Sequence, residues 1–79
     1  MRIYDTDANK KTNNLILYLT VEEAQEMKGS IEDLLTHQKH HHAHVSDKDF
    51  KREVTLCLYR EDDVSGFDER SKNLILRDE

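Results

Sequence analysis

All five histidines of the sequence lie within eight positions, between His37 and His44. Residues 39–44 have the sequence Lys-His-His-His-Ala-His, and ordinary mixed sequence flanks them on both sides, so the cluster is not a terminal purification tag. Imidazole is the commonest transition-metal ligand and the only side chain that ordinarily titrates near neutral pH. The histidine cluster is therefore the clearest candidate for a chemical role in this sequence, either as a metal site or as a pH-sensitive contact.

The spacing of the histidines limits which of them can share a metal ion. If residues 40–46 form a strand, the side chains of His40, His42 and His44 lie on one face. Neighbours on that face are ~6.6 Å apart at the backbone, so His40 with His42, or His42 with His44, can bind one Zn²⁺ or another divalent transition metal, whereas all three together would be strained. Asp47 is the predicted carboxylate ligand that completes this metal site.

Other ligands and other roles stay open for the cluster. Asp49 and Glu53 are further carboxylates nearby in the sequence, and a second copy of the chain could supply more. Three protein ligands plus water would permit metal-dependent hydrolysis, whereas four protein ligands would indicate a structural site. The alternatives are adventitious nickel or zinc binding, and a solvated, pH-responsive strand in which His41 points inward with Ala43 and Val45.

A second acidic pattern, near the N-terminus, resembles the start of a calcium-binding loop. Asp5, Asp7 and Asn9 have the alternating spacing of such a loop. The sixth position is Lys10, where the loop needs glycine, and the twelfth is Ile16, where it needs glutamate. The sequence therefore predicts an ordinary turn.

The remaining residue types indicate no common catalytic arrangement. Cys57 lies between Leu56 and Leu58 and is predicted to be a small packed thiol. Both glycines are isolated, and the sequence contains no phosphate-binding loop, serine nucleophile motif or paired-carboxylate signature. We therefore expect a non-enzymatic protein with no certain cofactor, and a metal-dependent hydrolase at the histidine cluster is the alternative.

Length and composition indicate one small α+β domain over residues 1–79. Leu, Ile, Val and Phe contribute 19 of the 79 residues, which is above the roughly 20% below which disorder is expected. The formal net charge of −5 argues against nucleic-acid binding and suits a protein partner with a basic surface. The single cysteine, the absence of an apolar signal region and the absence of an apolar run of ~18 residues predict a cytoplasmic protein that does not span a membrane.

Apolar periodicity predicts two strands and a helix in the first half of the chain. Residues 2–5 and 14–20 are expected to pair as a β-hairpin through a turn-rich connection. Thr20 and Glu23 have the spacing of a capping box, and the apolar residues that follow recur at helical spacing. Together these features predict a helix over residues 21–36.

The second half is predicted to contain strands at residues 40–46 and 53–59, separated by a polar turn. Residues 66–72 could form a short helix or a loop, and residues 73–76 are expected to form a last strand. The predicted fold is therefore α+β, in the order β-β-α-β-β, short helix or loop, and final strand. Its sheet is mainly antiparallel, and the amphipathic helix packs on one face.

A single helix covers only one face of such a sheet. The other face would present Ile16, Tyr18, Cys57 and Tyr59, which together are too apolar to remain in water. Either the C-terminal helix or a second copy of the chain could cover this face, and we expect the second copy and therefore a homodimer. The sequence thus predicts a small acidic binding or regulatory module that acts through protein contacts, such as an immunity-type or accessory protein.

Overall fold

The computed structural model describes residues 1–39 and 41–79. The chain divides into two compact units: the first unit is Met1–Leu17 with Arg60–Glu79, and the second unit is Tyr18–Tyr59. Each unit contains a two-stranded antiparallel sheet and a helix. In chain order the elements are β1 (Ile3–Asp5), β2 (Lys10–Thr12), α1 (Val21–Thr36), β3 (His42–Ser46), β4 (Glu53–Cys57) and α2 (Glu69–Arg77).

The α+β class and the antiparallel strand pairing predicted from the sequence are confirmed. The described strands form two separate sheets, β1 with β2 and β3 with β4, where the sequence suggested one. The assignment of residues 1–79 to a single domain stays a prediction. Over the described residues, the structure contains no helix with the length and apolar character needed to span a membrane.

A tight turn closes the hairpin of β1 and β2. The Asp5 carboxylate accepts hydrogen bonds from the backbone amides of Asp7 (3.0 Å) and Ala8 (3.1 Å). Asn9 has a φ of 53°, the left-handed conformation that asparagine tolerates, and its side chain accepts a hydrogen bond from the Tyr4 hydroxyl. The acidic segment therefore forms the turn that the sequence predicts.

Residues 14–20 do not form the predicted second strand of this hairpin. The partner of β1 is β2, in a register that pairs Ile3 with Thr12 and Asp5 with Lys10. Because the turn between them is only four residues long, the hairpin ends before the apolar residues begin. Residues 14–20 lie in no helix, strand, turn or bend.

The predicted last strand at residues 73–76 is wrong, because these residues belong to α2. Asp68 caps this helix by accepting a hydrogen bond from the Ser71 amide at 2.9 Å. The glutamate, arginine, lysine and leucine residues that follow are good helix formers. Leu74, in the second half of α2, is buried. The apolar residues at 74–76, which resemble a strand in the sequence, therefore supply the packed side of a helix.

Two cationic side chains near the hairpin bind the C-terminal end of α2. Arg2 donates through Nε to the Leu74 carbonyl at 2.9 Å, and Lys11 donates through Nζ to the Asp78 carbonyl at 2.7 Å. Asp78 has a φ of 57°, the left-handed conformation in which helices often end. Because the C-terminal end of a helix carries partial negative charge, these contacts stabilise the packing of α2 within the first unit.

The helix predicted over residues 21–36 is confirmed as α1. Thr20 accepts a hydrogen bond from the Glu23 amide at 3.1 Å, and the Glu23 carboxylate accepts one from the Thr20 amide at 2.9 Å. This capping box sets the start of the helix. α1 packs against β3, and the buried side chains of the second unit are Leu34 and Val45 among its described residues.

β3 and β4 form a five-residue antiparallel ladder that runs from the His42–Cys57 pair to the Ser46–Glu53 pair. These strands confirm residues 42–46 of the strand predicted at residues 40–46 and residues 53–57 of the strand predicted at residues 53–59. Side chains alternate between the two faces of the ladder. One face carries its less exposed side chains, Ala43, Val45, Val54 and Leu56.

Candidate functional site

The described histidines of the cluster include two on the exposed face of the β3–β4 ladder. His42 and His44 alternate with the less exposed residues of β3, and both are exposed. Their ring centroids are 5.4 Å apart, and the rings meet edge to face. The predicted placement of these two side chains on one strand face is confirmed, whereas His40 lies outside the described residues.

Two side chains of β4 hold the His44 ring. Its Nδ1 atom lies 2.8 Å from the Glu53 carboxylate and 2.9 Å from the Thr55 hydroxyl. Thr55 is directly opposite His44 in the ladder, which explains the short distance. A carboxylate beside Nδ1 favours a proton on that nitrogen, so Nε2 is left as the nitrogen with a lone pair available to a ligand.

Cys57 is opposite His42 in the ladder and is exposed. The prediction of a packed thiol is therefore wrong, because Cys57 shares the histidine-bearing face and not the less exposed face. Partial burial nevertheless raises the pKa of the Cys57 thiol. The thiol stays protonated at neutral pH and is a poor nucleophile, so its surroundings do not favour cysteine catalysis.

Asp47, the predicted carboxylate ligand, organises the turn between β3 and β4. Its Oδ1 atom accepts hydrogen bonds from the amides of Lys51 at 2.8 Å and Arg52 at 3.4 Å. The Asp47 carbonyl accepts a hydrogen bond from the Phe50 amide at 3.0 Å, and Phe50 has a φ of 54°. The carboxylate that contacts a histidine of this face is that of Glu53.

The described residues contain no group of three or more His, Cys, Asp or Glu side chains that could hold a metal ion. The exposed face therefore offers the two-histidine pair that strand geometry predicts, His42 with His44. The described residues supply no third ligand to this pair. The assignment of a zinc site to His40, His42, His44 and Asp47 stays a prediction.

The role of Glu53 was recognised only partly from the sequence. It was one of three nearby carboxylates, and its distance from the histidines along the chain gave no reason to prefer it. The deciding signal is the register: a turn over residues 47–52 places Ser46 opposite Glu53, and antiparallel pairing then brings Glu53 diagonally beside His44.

A second segment with functional potential is formed by residues 15–19, hereafter the apolar segment. Its sequence is Leu-Ile-Leu-Tyr-Leu. Tyr18 is 89% exposed and Ile16 is 74% exposed, while the three leucines are between 41% and 57% exposed. With no positive φ, turn or bend, the segment follows an extended course.

The backbone of the apolar segment makes no hydrogen bond with any other described residue. Hydrogen bonding resumes on both sides, where the Asn14 carbonyl accepts from the Thr12 hydroxyl and the Thr20 carbonyl accepts from the Ala24 amide. Extended backbone with unpaired amide and carbonyl groups can pair with a strand of another molecule. The apolar segment therefore has the properties of a docking strand.

The protein also has a small core. Within the described part of the chain, the buried hydrophobic residues are Leu34, Val45 and Leu74. Chains of this size are close to the limit at which one core sustains folding. Large apolar side chains outside the apolar segment are exposed as well: Met1, Val21, Ile31, Leu35, Phe50 and Leu76.

Comparison with known proteins gives no assignment. No protein-family model matches the chain, and neither curated proteins nor solved structures give a significant match.

Proposed function

We propose that this chain is a small acidic binding module that acts through protein–protein contacts, with the apolar segment as its docking strand. The observation that supports this role is a run of five exposed apolar residues with no backbone hydrogen bond to the rest of the described chain. In strand addition, backbone hydrogen bonds provide affinity and alternate side chains provide specificity. A non-enzymatic role and a cytoplasmic location belong to the same proposal.

The charge distribution supports a partner with a basic surface. The net charge is −5, and Glu22 and Glu23 lie in the first turn of α1, immediately after the apolar segment. Acidic groups beside a docking strand would steer the basic part of a partner toward them.

The test is photo-crosslinking in the cells that make the protein, with benzoylphenylalanine in place of Tyr18. Phe50 provides a matched control site, because it is an aromatic residue that is 84% exposed, against 89% for Tyr18. We expect discrete adducts from position 18 that disappear when Leu15→Lys is added, and no such adducts from position 50. Absence of adducts at position 18, or the same pattern at both positions, would contradict the proposal.

A metal-binding role is the second candidate, and the ordered His42–His44 pair favours it. The two rings are close, and the Glu53 carboxylate at Nδ1 of His44 is the type of contact that orients histidine ligands in metal sites. This candidate includes a zinc-dependent hydrolase if a carboxylate or a second copy of the chain supplies a third ligand and water supplies the fourth.

Elemental analysis separates this candidate from the first. The protein should be purified without a nickel column, and His42→Ala should be compared with His37→Ala, which changes a histidine outside β3. A stoichiometric metal that is lost only in His42→Ala would support metal binding. A metal-free protein, or equal metal in all three samples, would exclude a physiological site at His42.

A further inference from the structure

We infer that the apolar segment docks on a second copy of this chain, and that the two segments pair as antiparallel strands with Leu17 opposite Leu17. This inference rests on the proposed function and names its partner. It predicts a symmetric homodimer in which each copy supplies the same five residues to the contact.

The sequence of the apolar segment is self-complementary about its centre. In the proposed register, Leu15 of one copy lies opposite Leu19 of the other, and Ile16 lies opposite Tyr18. The leucines then meet leucines on one face, while the aliphatic and aromatic side chains pair on the other. An unrelated partner would need to match this pattern, whereas a second copy matches it by symmetry.

The charges beside the segment favour the same antiparallel arrangement. Lys10 and Lys11 precede it in β2, and Glu22 and Glu23 follow it in α1. Antiparallel pairing brings the basic end of each copy toward the acidic end of the other, whereas parallel pairing brings like charges together. A second copy, although acidic overall, thus places Lys10 and Lys11 beside the acidic end of the segment.

The exposed area is close to what a specific dimer needs. At the observed exposures, the five residues, backbone included, present on the order of 500 Å² per copy, whereas specific interfaces bury about 600–1,000 Å² per partner. The core of the described residues is small, so covering the apolar segment would add to the stability of the folded chain. A second copy is present wherever the chain is made.

Cysteine crosslinking can test the register. In a Cys57→Ser background, Leu17→Cys places two thiols directly opposite each other, with Cα atoms about 4.5–5.5 Å apart, within the range that a disulfide bridges. Ile16→Cys alone places the thiols two residues out of register, at a Cα separation of about 8 Å, which a disulfide does not bridge. Mixing Ile16→Cys with Tyr18→Cys restores opposite thiols.

We expect Leu17→Cys to form a covalent dimer under mild oxidation at least 10-fold faster than Ile16→Cys. The mixture of Ile16→Cys and Tyr18→Cys should crosslink at a rate similar to that of Leu17→Cys, but only in the dimers that contain one copy of each variant. Sedimentation of the unoxidised wild-type protein should show a dimer. Equal rates for Leu17→Cys and Ile16→Cys would overturn the register. A wild-type protein that remains monomeric at millimolar concentration would overturn self-docking.

Failure of this inference is distinguishable from failure of the proposed function. If the purified protein is monomeric but position 18 crosslinks to a different protein in cells, self-docking is wrong and the binding role stands. If position 18 gives no adduct in cells and the purified protein is monomeric, both are wrong. Adducts at twice the mass of the chain support both.

Discussion

The apolar segment and β4 are both five residues long, but only β4 has a strand partner among the described residues. β4 alternates polar Glu53 and Thr55 with apolar Val54 and Leu56, and it pairs with β3 along five residues. The apolar segment has large apolar side chains on both faces and pairs with no described strand. The comparison shows that β-propensity alone does not make a strand.

The two segments differ in how much cover they require. A strand such as β4, which is apolar on one face, needs a pairing partner and packing on that face only. The second unit supplies both, because it contains β3 and α1. A strand that is apolar on both faces needs cover on both faces. A central strand of a larger sheet has such cover. A chain of 79 residues with two two-stranded sheets does not provide this cover among its described elements.

The largest effect should follow a polar substitution in the paired strand. Leu56→Asp places a carboxylate on the less exposed face of the ladder, opposite Ala43, and should lower the free energy of unfolding by about 2–3 kcal/mol. Urea unfolding measures this loss, which should be the same at every protein concentration. A loss that vanishes on dilution would mean that Leu56 also contributes to association.

Substitution in the apolar segment should instead change association. Leu15 and Leu76 are both 57% exposed, so Leu15→Lys and Leu76→Lys are matched in residue type, exposure and charge. We expect Leu15→Lys to weaken the dimer at least ~100-fold, because it introduces an uncompensated charge into an apolar contact. Leu76→Lys should leave the dissociation constant from sedimentation equilibrium unchanged. Equal weakening by both variants would assign association to general surface hydrophobicity.

A smaller effect is expected at the junction of the apolar segment and α1. Thr20→Ala removes the hydroxyl that accepts the Glu23 amide and should lower the free energy of unfolding by about 1 kcal/mol. Thr20→Ser keeps the hydroxyl and should retain most of the stability. Thermal unfolding followed by circular dichroism provides the comparison. Identical stability of the alanine and serine variants would show that the cap contributes nothing.

The smallest effect concerns α2, which belongs to neither segment. Hydrogen bonds from the side chain and backbone of Ser71 lower the pKa of the Asp68 carboxyl. A group with a lowered pKa contributes stability above its ordinary pKa of about 3.9, and this contribution is lost as the pH falls through the lowered value. The urea midpoint of the wild-type protein should fall slightly more than that of Asp68→Asn between about pH 5 and pH 2. Parallel pH profiles would count against a charged cap.

The local signals in the sequence predicted the elements that local interactions determine. The capping box at Thr20 and the apolar spacing after it predict α1, and the polar turn between two alternating runs predicts the β3–β4 ladder. The predicted pair of same-face histidines is likewise a local consequence of strand alternation. Each of these features depends on residues close together in the chain.

The errors arose where the chain offers two competing structures. Residues 14–20 and 73–76 both have high strand propensity, but the first lack a strand partner and the second follow the Asp68 helix cap. The exposure of Cys57 depends on which face of the ladder is less exposed, which alternation alone does not decide. Pairing partners and covered faces are properties of the whole fold and are not contained in a single segment.

Amide hydrogen exchange of residues 15–19 tests the docking role of the apolar segment most directly. These amides have no hydrogen-bond partner within the described chain, so they should exchange rapidly when the protein is dilute. At millimolar concentration they should become protected, while the amides of the β3–β4 ladder should be protected at both concentrations. Fast exchange of residues 15–19 at both concentrations would contradict self-docking. Slow exchange in a sample diluted until sedimentation shows a monomer would show that another part of the same chain already covers them.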